Sequence, residues 1–166
     1  LSARTALEES RNVPTARAAQ SVGMMRVIAT AKACGFTESF DPLPSLALGA
    51  QEVTPLELAT AYGTLATLGL RVQPRILQAV EARDGRKLEK RAPEVHEAVR
   101  PAAAYLVDDV LRGVLTRGTA ASADALGFRG DAAGKKQTFS RGFIAAWYRG
   151  YDDEAREGSP NEGRLL

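Results

Sequence analysis

Apolar residues recur at helical spacing along the front of this chain and at strand spacing near its end. Residues 5–10 have a helical composition and are broken by Ser10-Arg11-Asn12-Val13-Pro14. A proline disfavours helical backbone in the residue before it, so Val13 is expected to be extended. Thr15 is then expected to cap a helix running to Ser21. Gly23 separates it from a second helix, Met24 to Cys34, in which Val27, Ile28 and Ala31 share a face and Gly35 takes the terminating position. Residues 37–49 are proline-rich and read as irregular. The clearest helix follows. Thr54-Pro55-Leu56-Glu57 combines a capping hydroxyl, a proline at the first helical position and a glutamate placed to reach back. Leu58, Ala61, Tyr62 and Leu65 mark its apolar face, and Gly69 is expected to close it.

The period then changes. Residues 76–82 alternate loosely, Asp84-Gly85 is a turn signal, and Lys87-Leu88 returns, which together predict a β-hairpin. Residues 89–101 are polar and predict a surface excursion. Pro101 opens another helix, with Tyr105, Leu106, Val110, Leu111 and Val114 expected on its buried side. Residues 127–134 are punctuated by glycine, and 143–151 are aromatic and favourable to strand. The polar stretch 152–166 is expected to be frayed or disordered. Helices, a hairpin, a helix and more strand, in that order, suit an α/β (α+β) domain with helices packed on an antiparallel sheet.

The chain has 166 residues, 45% of them hydrophobic and 25% charged, enough for one domain with a sizeable core. A net charge of +2 is too small to point to a nucleic-acid partner. The densest basic group, Arg83, Arg86, Lys87, Lys90 and Arg91, flanks the Asp84-Gly85 turn and reads as a solvated hairpin. Cys34 is the single cysteine and His96 the single histidine. A disulfide framework is therefore excluded, and no metal or other cofactor is expected. No stretch reaches the ~20 apolar residues that cross a bilayer. The chain starts Leu1-Ser2-Ala3-Arg4, without an initiator methionine, in what reads as domain interior; truncation is expected.

Several short motifs carry chemistry. Gly130 to Lys135 is a poor phosphate loop, one residue short between glycines and with Lys136 where a hydroxyl would bind magnesium. Asp108 and Asp109 are consecutive on a helix and point about 100° apart, so they form no carboxylate pair. Three other stretches belong together. Ser10-Arg11-Asn12 sits within Ala6-Leu7-Glu8-Glu9-Ser10-Arg11-Asn12-Val13-Pro14-Thr15. The block 44–66 reads PSLALGAQEVTPLELATAYGTLA. Val114-Leu115-Thr116-Arg117-Gly118-Thr119 precedes Ala133-Gly134-Lys135. In this order they resemble the transpeptidase domain of class A (bifunctional) penicillin-binding proteins, from the second motif of that family up to the third.

The resemblance implies a partial penicillin-binding protein transpeptidase or serine β-lactamase-like fold, with helices on an incomplete antiparallel sheet. It implies residues 1–151 as a partial transpeptidase domain and 152–166 as a tail. In that family Ser-x-x-Lys, Ser-x-Asn and Lys-Thr-Gly meet in one cleft. Ser10 would relay a proton beside the nucleophile, and the Asn12 amide would grip the substrate backbone. Lys135 would supply positive charge. The family's next two residues, a Thr or Ser and a Gly, are replaced by Lys136 and Gln137, and Thr138 follows. Asn12, Lys135 and Thr138 are the implied substrate-binding residues, and Ser10 the implied catalytic one. No serine in the chain is followed by x-x-Lys, so the nucleophile motif is absent. Beyond Lys135 two registers compete. Residues 146–151 resemble the family's Asp-Ala-Trp-Phe-x-Gly-Tyr strand with one extra residue of spacing. Alternatively, 143–153 resemble the strand after it, with about one strand deleted.

The implied function is a fragment of a D,D-transpeptidase that cross-links peptidoglycan stem peptides, expected to be inactive as this isolated chain. The alternative is a non-catalytic remnant or binding scaffold. The implied partners are the D-Ala-D-Ala stem peptide and β-lactams, at the periplasmic face of the bacterial inner membrane, with membrane attachment only through a missing N-terminal anchor. A domain cut before its nucleophile helix is also expected to expose apolar surface and self-associate.

Overall fold

The chain begins with α1 (Ala3–Glu8), whose Ser2 cap accepts a hydrogen bond from the Thr5 amide at 3.1 Å. The computed structural model describes residues 1–123, 125, 130, 132–139 and 142–149, with 136–139 and 142–149 described as backbone. The tail 152–166 lies outside the described residues. α1 turns through Ser10 into α2 (Asn12–Val22), which starts earlier than the sequence suggests. Val13 is helical rather than extended, and Thr15 lies inside the helix instead of capping it. Pro14 falls in the first turn, where amides have no intrahelical partner, so the proline there is tolerated. The Thr15 hydroxyl instead donates back to the Arg11 carbonyl at 2.7 Å.

α3 (Met24–Cys34) has the expected bounds. It ends on Gly35 at φ 118°, with the Phe36 amide donating to the Ala31 carbonyl at 3.3 Å and the Gly35 amide to Lys32 at 3.1 Å. That is a Schellman closure, which glycine makes without a Cβ clash. A 3-10 turn at Pro44–Leu48 interrupts the proline-rich stretch.

α4 (Pro55–Ala66) carries the anticipated capping box. The Glu57 carboxylate does more than close it. One oxygen accepts from the Thr54 amide and hydroxyl, each at 2.9 Å; the other accepts from the Thr37 amide at 2.8 Å and hydroxyl at 2.6 Å. The stretch after α3 is thereby pinned to the start of α4. Hydrogen bonds from the Thr37 hydroxyl first, then from the Thr37 and Thr54 amides, favour the charged carboxylate and pull its pKa down to about 2. α4 ends at Ala66, short of the expected Gly69, because Leu68 at φ 55° and Gly69 at φ 95° reverse the chain.

Strand pairing is antiparallel throughout the described residues. β1 (Leu70–Val72) pairs with β4 (Val95–Glu97), placing Arg71 opposite His96. Part of the expected surface excursion is therefore strand. β2 (Ala79–Glu81) and β3 (Lys87–Lys90) form the anticipated hairpin, turned at Asp84-Gly85, where the Asp84 carboxylate accepts the Arg86 amide at 3.0 Å. β5 (Ala132–Phe139) and β6 (Gly142–Arg149) form a second hairpin, with Lys135 opposite Ala146.

α5 (Pro101–Thr116) packs on β5 and α1, and α4 packs on β1, α5 and β6. The core residues include Ala6, Ile28, Cys34, Ala61, Ala104, Leu111, Val114, Ala132 and Ala133. Its many alanines let helices and strand approach closely. On α5 the buried face runs through Ala104, Leu111, Gly113 and Val114. Tyr105 and Leu106, expected on that face, are instead 61% and 60% exposed, because the helix turns its small residues toward its neighbours. Asp108 and Asp109 do diverge: the first accepts from Arg112 at 2.9 Å and the second from Arg4 at 2.6 Å.

Candidate active site

Ser10 owes its position to the way α1 ends. The Arg11 amide donates to the Ala6 carbonyl at 2.8 Å and the Ser10 amide to Leu7 at 3.2 Å. This is again a Schellman closure, but here the left-handed position, φ 54°, is held by a serine rather than a glycine. A side chain in that conformation costs about 1–2 kcal/mol. Strain of this kind clusters at functional sites.

Lys135 reaches that residue from β5. Its ammonium donates to the Leu7 carbonyl at 2.6 Å and to the Ser10 hydroxyl. Leu7 thus accepts both the Ser10 amide and the lysine, at the carbonyl-rich end of α1 where the helix dipole favours a cation. Half-burial pushes the lysine below the ordinary lysine range. Arg11, between Ser10 and Asn12, turns to the Glu9 carboxylate at 2.9 Å. Asn12 is the first residue of α2, exposed and two residues from Ser10. Thr138 lies further along β5 with its backbone opposite Phe143; its side chain is outside the described part.

The structure therefore brings Ser10 and Lys135 into direct contact, with Asn12 at the start of the next helix, two residues on from Ser10. The Leu7 carbonyl, as the second acceptor for Lys135, escapes sequence reasoning because backbone groups leave no mark in residue identity. Among the described residues no cluster has the make-up of a metal site, and no helix is long and apolar enough to cross a membrane. Cys34 is buried and its thiol is raised by that burial, away from a reactive thiolate.

The family described as penicillin binding protein transpeptidase domain matches residues 1–135. The chain belongs to this family. It is 34% identical over 148 residues to penicillin-binding protein 1B of Escherichia coli, covering 89% of this chain and 17% of that relative. It is 29% identical over 181 residues to penicillin-binding protein 1A of Rickettsia bellii, covering 90% of this chain and 23% of that relative. The chain thus spans about a fifth of the length of these curated relatives. Among solved structures, penicillin-binding protein 1A from Haemophilus influenzae superposes with a TM-score of 0.75 at 21% identity, over 92% of this chain and 30% of that one. Penicillin-binding protein A from M. tuberculosis, solved as an imipenem acyl-enzyme complex, gives 0.74 at 19% identity, over 89% and 38%. At such identities these two show a shared fold. The mixed α/β architecture of a penicillin-binding protein transpeptidase, in partial form, is thus the fold of this chain.

Proposed function

We propose that this chain supplies two walls of a D,D-transpeptidase cleft that cross-links peptidoglycan stem peptides, and that it performs no acyl transfer by itself. The contact between Lys135 and Ser10 carries this reading, because it joins the second and third motifs of the family across 125 positions of sequence. Acyl transfer from a D-Ala-D-Ala peptide needs a serine to attack, a group to move its proton, and a cation for the terminal carboxylate. Ser10 relays the proton toward the leaving amine. Lys135 orients the Ser10 hydroxyl and holds positive potential over the carboxylate. Asn12 donates its amide to the substrate backbone, and Thr138 its hydroxyl to the carboxylate. The same groups receive a β-lactam. The attacking serine is not among them, since Ser-x-x-Lys does not occur in the sequence. We place the transpeptidase portion at residues 1–151 with 152–166 as a tail, and the working environment on the periplasmic side of the inner membrane.

A second reading, a scaffold with no acyl transfer in any context, is favoured by Lys136 and Gln137 in place of the family's hydroxyl residue and glycine. One experiment separates the two. The chain is joined to a segment of a penicillin-binding protein 1A relative carrying Ser-x-x-Lys and exposed to fluorescent penicillin. The chain alone is expected to lose all label on denaturation, and the fusion to keep it. A fusion that stays dark supports the scaffold. Label retained by the chain alone means that a nucleophile lies elsewhere in it.

A further inference from the structure

Glu8 is a buried carboxylate, 7% exposed, on the last turn of α1. Arg117 donates to its Oε1 at 2.6 Å. Arg4 stands 3.7 Å from the same oxygen and continues to Asp109 at 2.6 Å. The carboxylate fits a slot in α5. A Cβ added to Gly113 would fall 1.9 Å from Glu8 Oε1 and 2.7 Å from Arg117 Nη2. A Cβ on Gly118 would fall 2.3 Å from the Glu8 carbonyl oxygen. The Thr119 amide donates to that carbonyl at 3.2 Å. One residue is therefore gripped by its side chain and by its backbone, against two glycines that leave room for nothing larger.

Stability alone does not call for this arrangement, since apolar residues of similar volume fill such a site as well as an ion pair does. Its neighbours in the chain supply the reason. The residue before Glu8 offers the carbonyl that Lys135 binds, and the residue two further on offers the hydroxyl. Displacing Glu8 displaces both acceptors together. Catalytic groups lose much of their effect when moved by about 1 Å. We propose that Glu8 and Arg117 are positioning residues, which seat the end of α1 in the Gly113–Gly118 slot so that Leu7 and Ser10 face Lys135 together. This rests on the reading of Ser10 and Lys135 as cleft groups.

The test follows Lys135 in the full chain by NMR of 13C-labelled lysine, with its resonance assigned by its loss in Lys135→Arg. In the parent, its titration midpoint is expected below the ordinary lysine range. Glu8→Gln keeps the volume and removes the charge. Loss of a nearby anion, by itself, lowers a lysine midpoint further. Loss of position releases the ammonium to water and raises the midpoint into the ordinary lysine range, which is the expected result. Gly113→Ala leaves Glu8 and Arg117 chemically intact and favours helix, yet expels the carboxylate; the same rise is expected. Arg117→Ala is expected to match them. Thr54→Ala, at a distant cap, lowers the melting temperature without moving Lys135. A Lys135 midpoint that stays put or falls in Gly113→Ala overturns the inference, whether or not Glu8→Gln folds. Failure of the cleft reading has a different signature: a fusion that resists penicillin while its Lys135 midpoint behaves as described.

Discussion

Lys135 donates to the Leu7 carbonyl, 2.6 Å away, and to the hydroxyl of Ser10, which itself sits in a left-handed backbone conformation. The lysine thus binds both the frame of the turn and the strained residue on it. Replacing Ser10 with alanine or glycine removes the same hydroxyl, but only glycine relieves the strain. Ser10→Gly is expected to be more stable than Ser10→Ala by about 1 kcal/mol in urea unfolding. Neither variant is expected to label with penicillin at the parent rate in the fusion. Equal stabilities would mean that the φ of Ser10 carries no strain.

Lys135→Ala removes the cation from the proposed cleft while leaving the Leu7 carbonyl paired with the Ser10 amide. Loss of one positioned electrostatic partner lowers rates by roughly 10²–10³-fold. A fall of that size is expected in the rate of penicillin labelling of the fusion, read from a gel time course. A rate within a factor of about two of the parent would remove Lys135 from the mechanism.

Glu57 gives the chain an acid-sensitive joint. Its pKa is depressed from an ordinary 4.5 to about 2 in the folded state. A carboxylate whose folded pKa is lowered contributes its full stabilisation above the unfolded value and loses it as pH falls. The melting temperature is therefore expected to drop between pH 4.5 and about pH 2, and Glu57→Gln to flatten that part of the profile. An unchanged profile in the variant would place the acid sensitivity elsewhere.

The reach of sequence reasoning varied with how local the cause was. The capping box of α4 lies within four consecutive residues and was fully legible. So was the end of α3, where a glycine stands at the left-handed position. The pairing of β1 with β4 was not legible, because each strand is short and the partners lie more than a dozen residues apart, with nothing in either segment naming the other. On α5 apolar residues occupy most of the helix surface, so periodicity left the buried side ambiguous. Close contact with α1 and β5 selected Ala104 and Gly113 over Tyr105 and Leu106. Ser10, Asn12 and Lys135 entered as candidates through resemblance alone. Glu8 gave no signal beyond a charge on a short helix.

That α5 phase has a measurable counterpart. Leu111 is 4% exposed, and Leu111→Ala is expected to cost about 2–5 kcal/mol. Tyr105→Ala and Leu106→Ala are expected to stay within roughly 0.5 kcal/mol of the parent. A large loss at Leu106 in urea unfolding would show that this face is covered in solution.

The same contrast holds at the α4 cap. Thr54→Ala removes the hydroxyl that accepts the Glu57 amide at 3.2 Å and is expected to cost about 0.5–2 kcal/mol. A neutral result would mean that the Thr37 hydrogen bonds hold Glu57 in place unaided.

The bond from β5 back to the turn after α1 closes a loop of 125 positions. A contact between residues so distant in sequence forms late and opens early, since the entropy of the intervening chain opposes it until the rest is in place. A molecule that retains every helix but has let this hairpin drift would look native by circular dichroism and yet lack the contact between Lys135 and Ser10. On the proposed function, substrate or antibiotic would then meet only the completed fold, and recognition would double as a check on assembly.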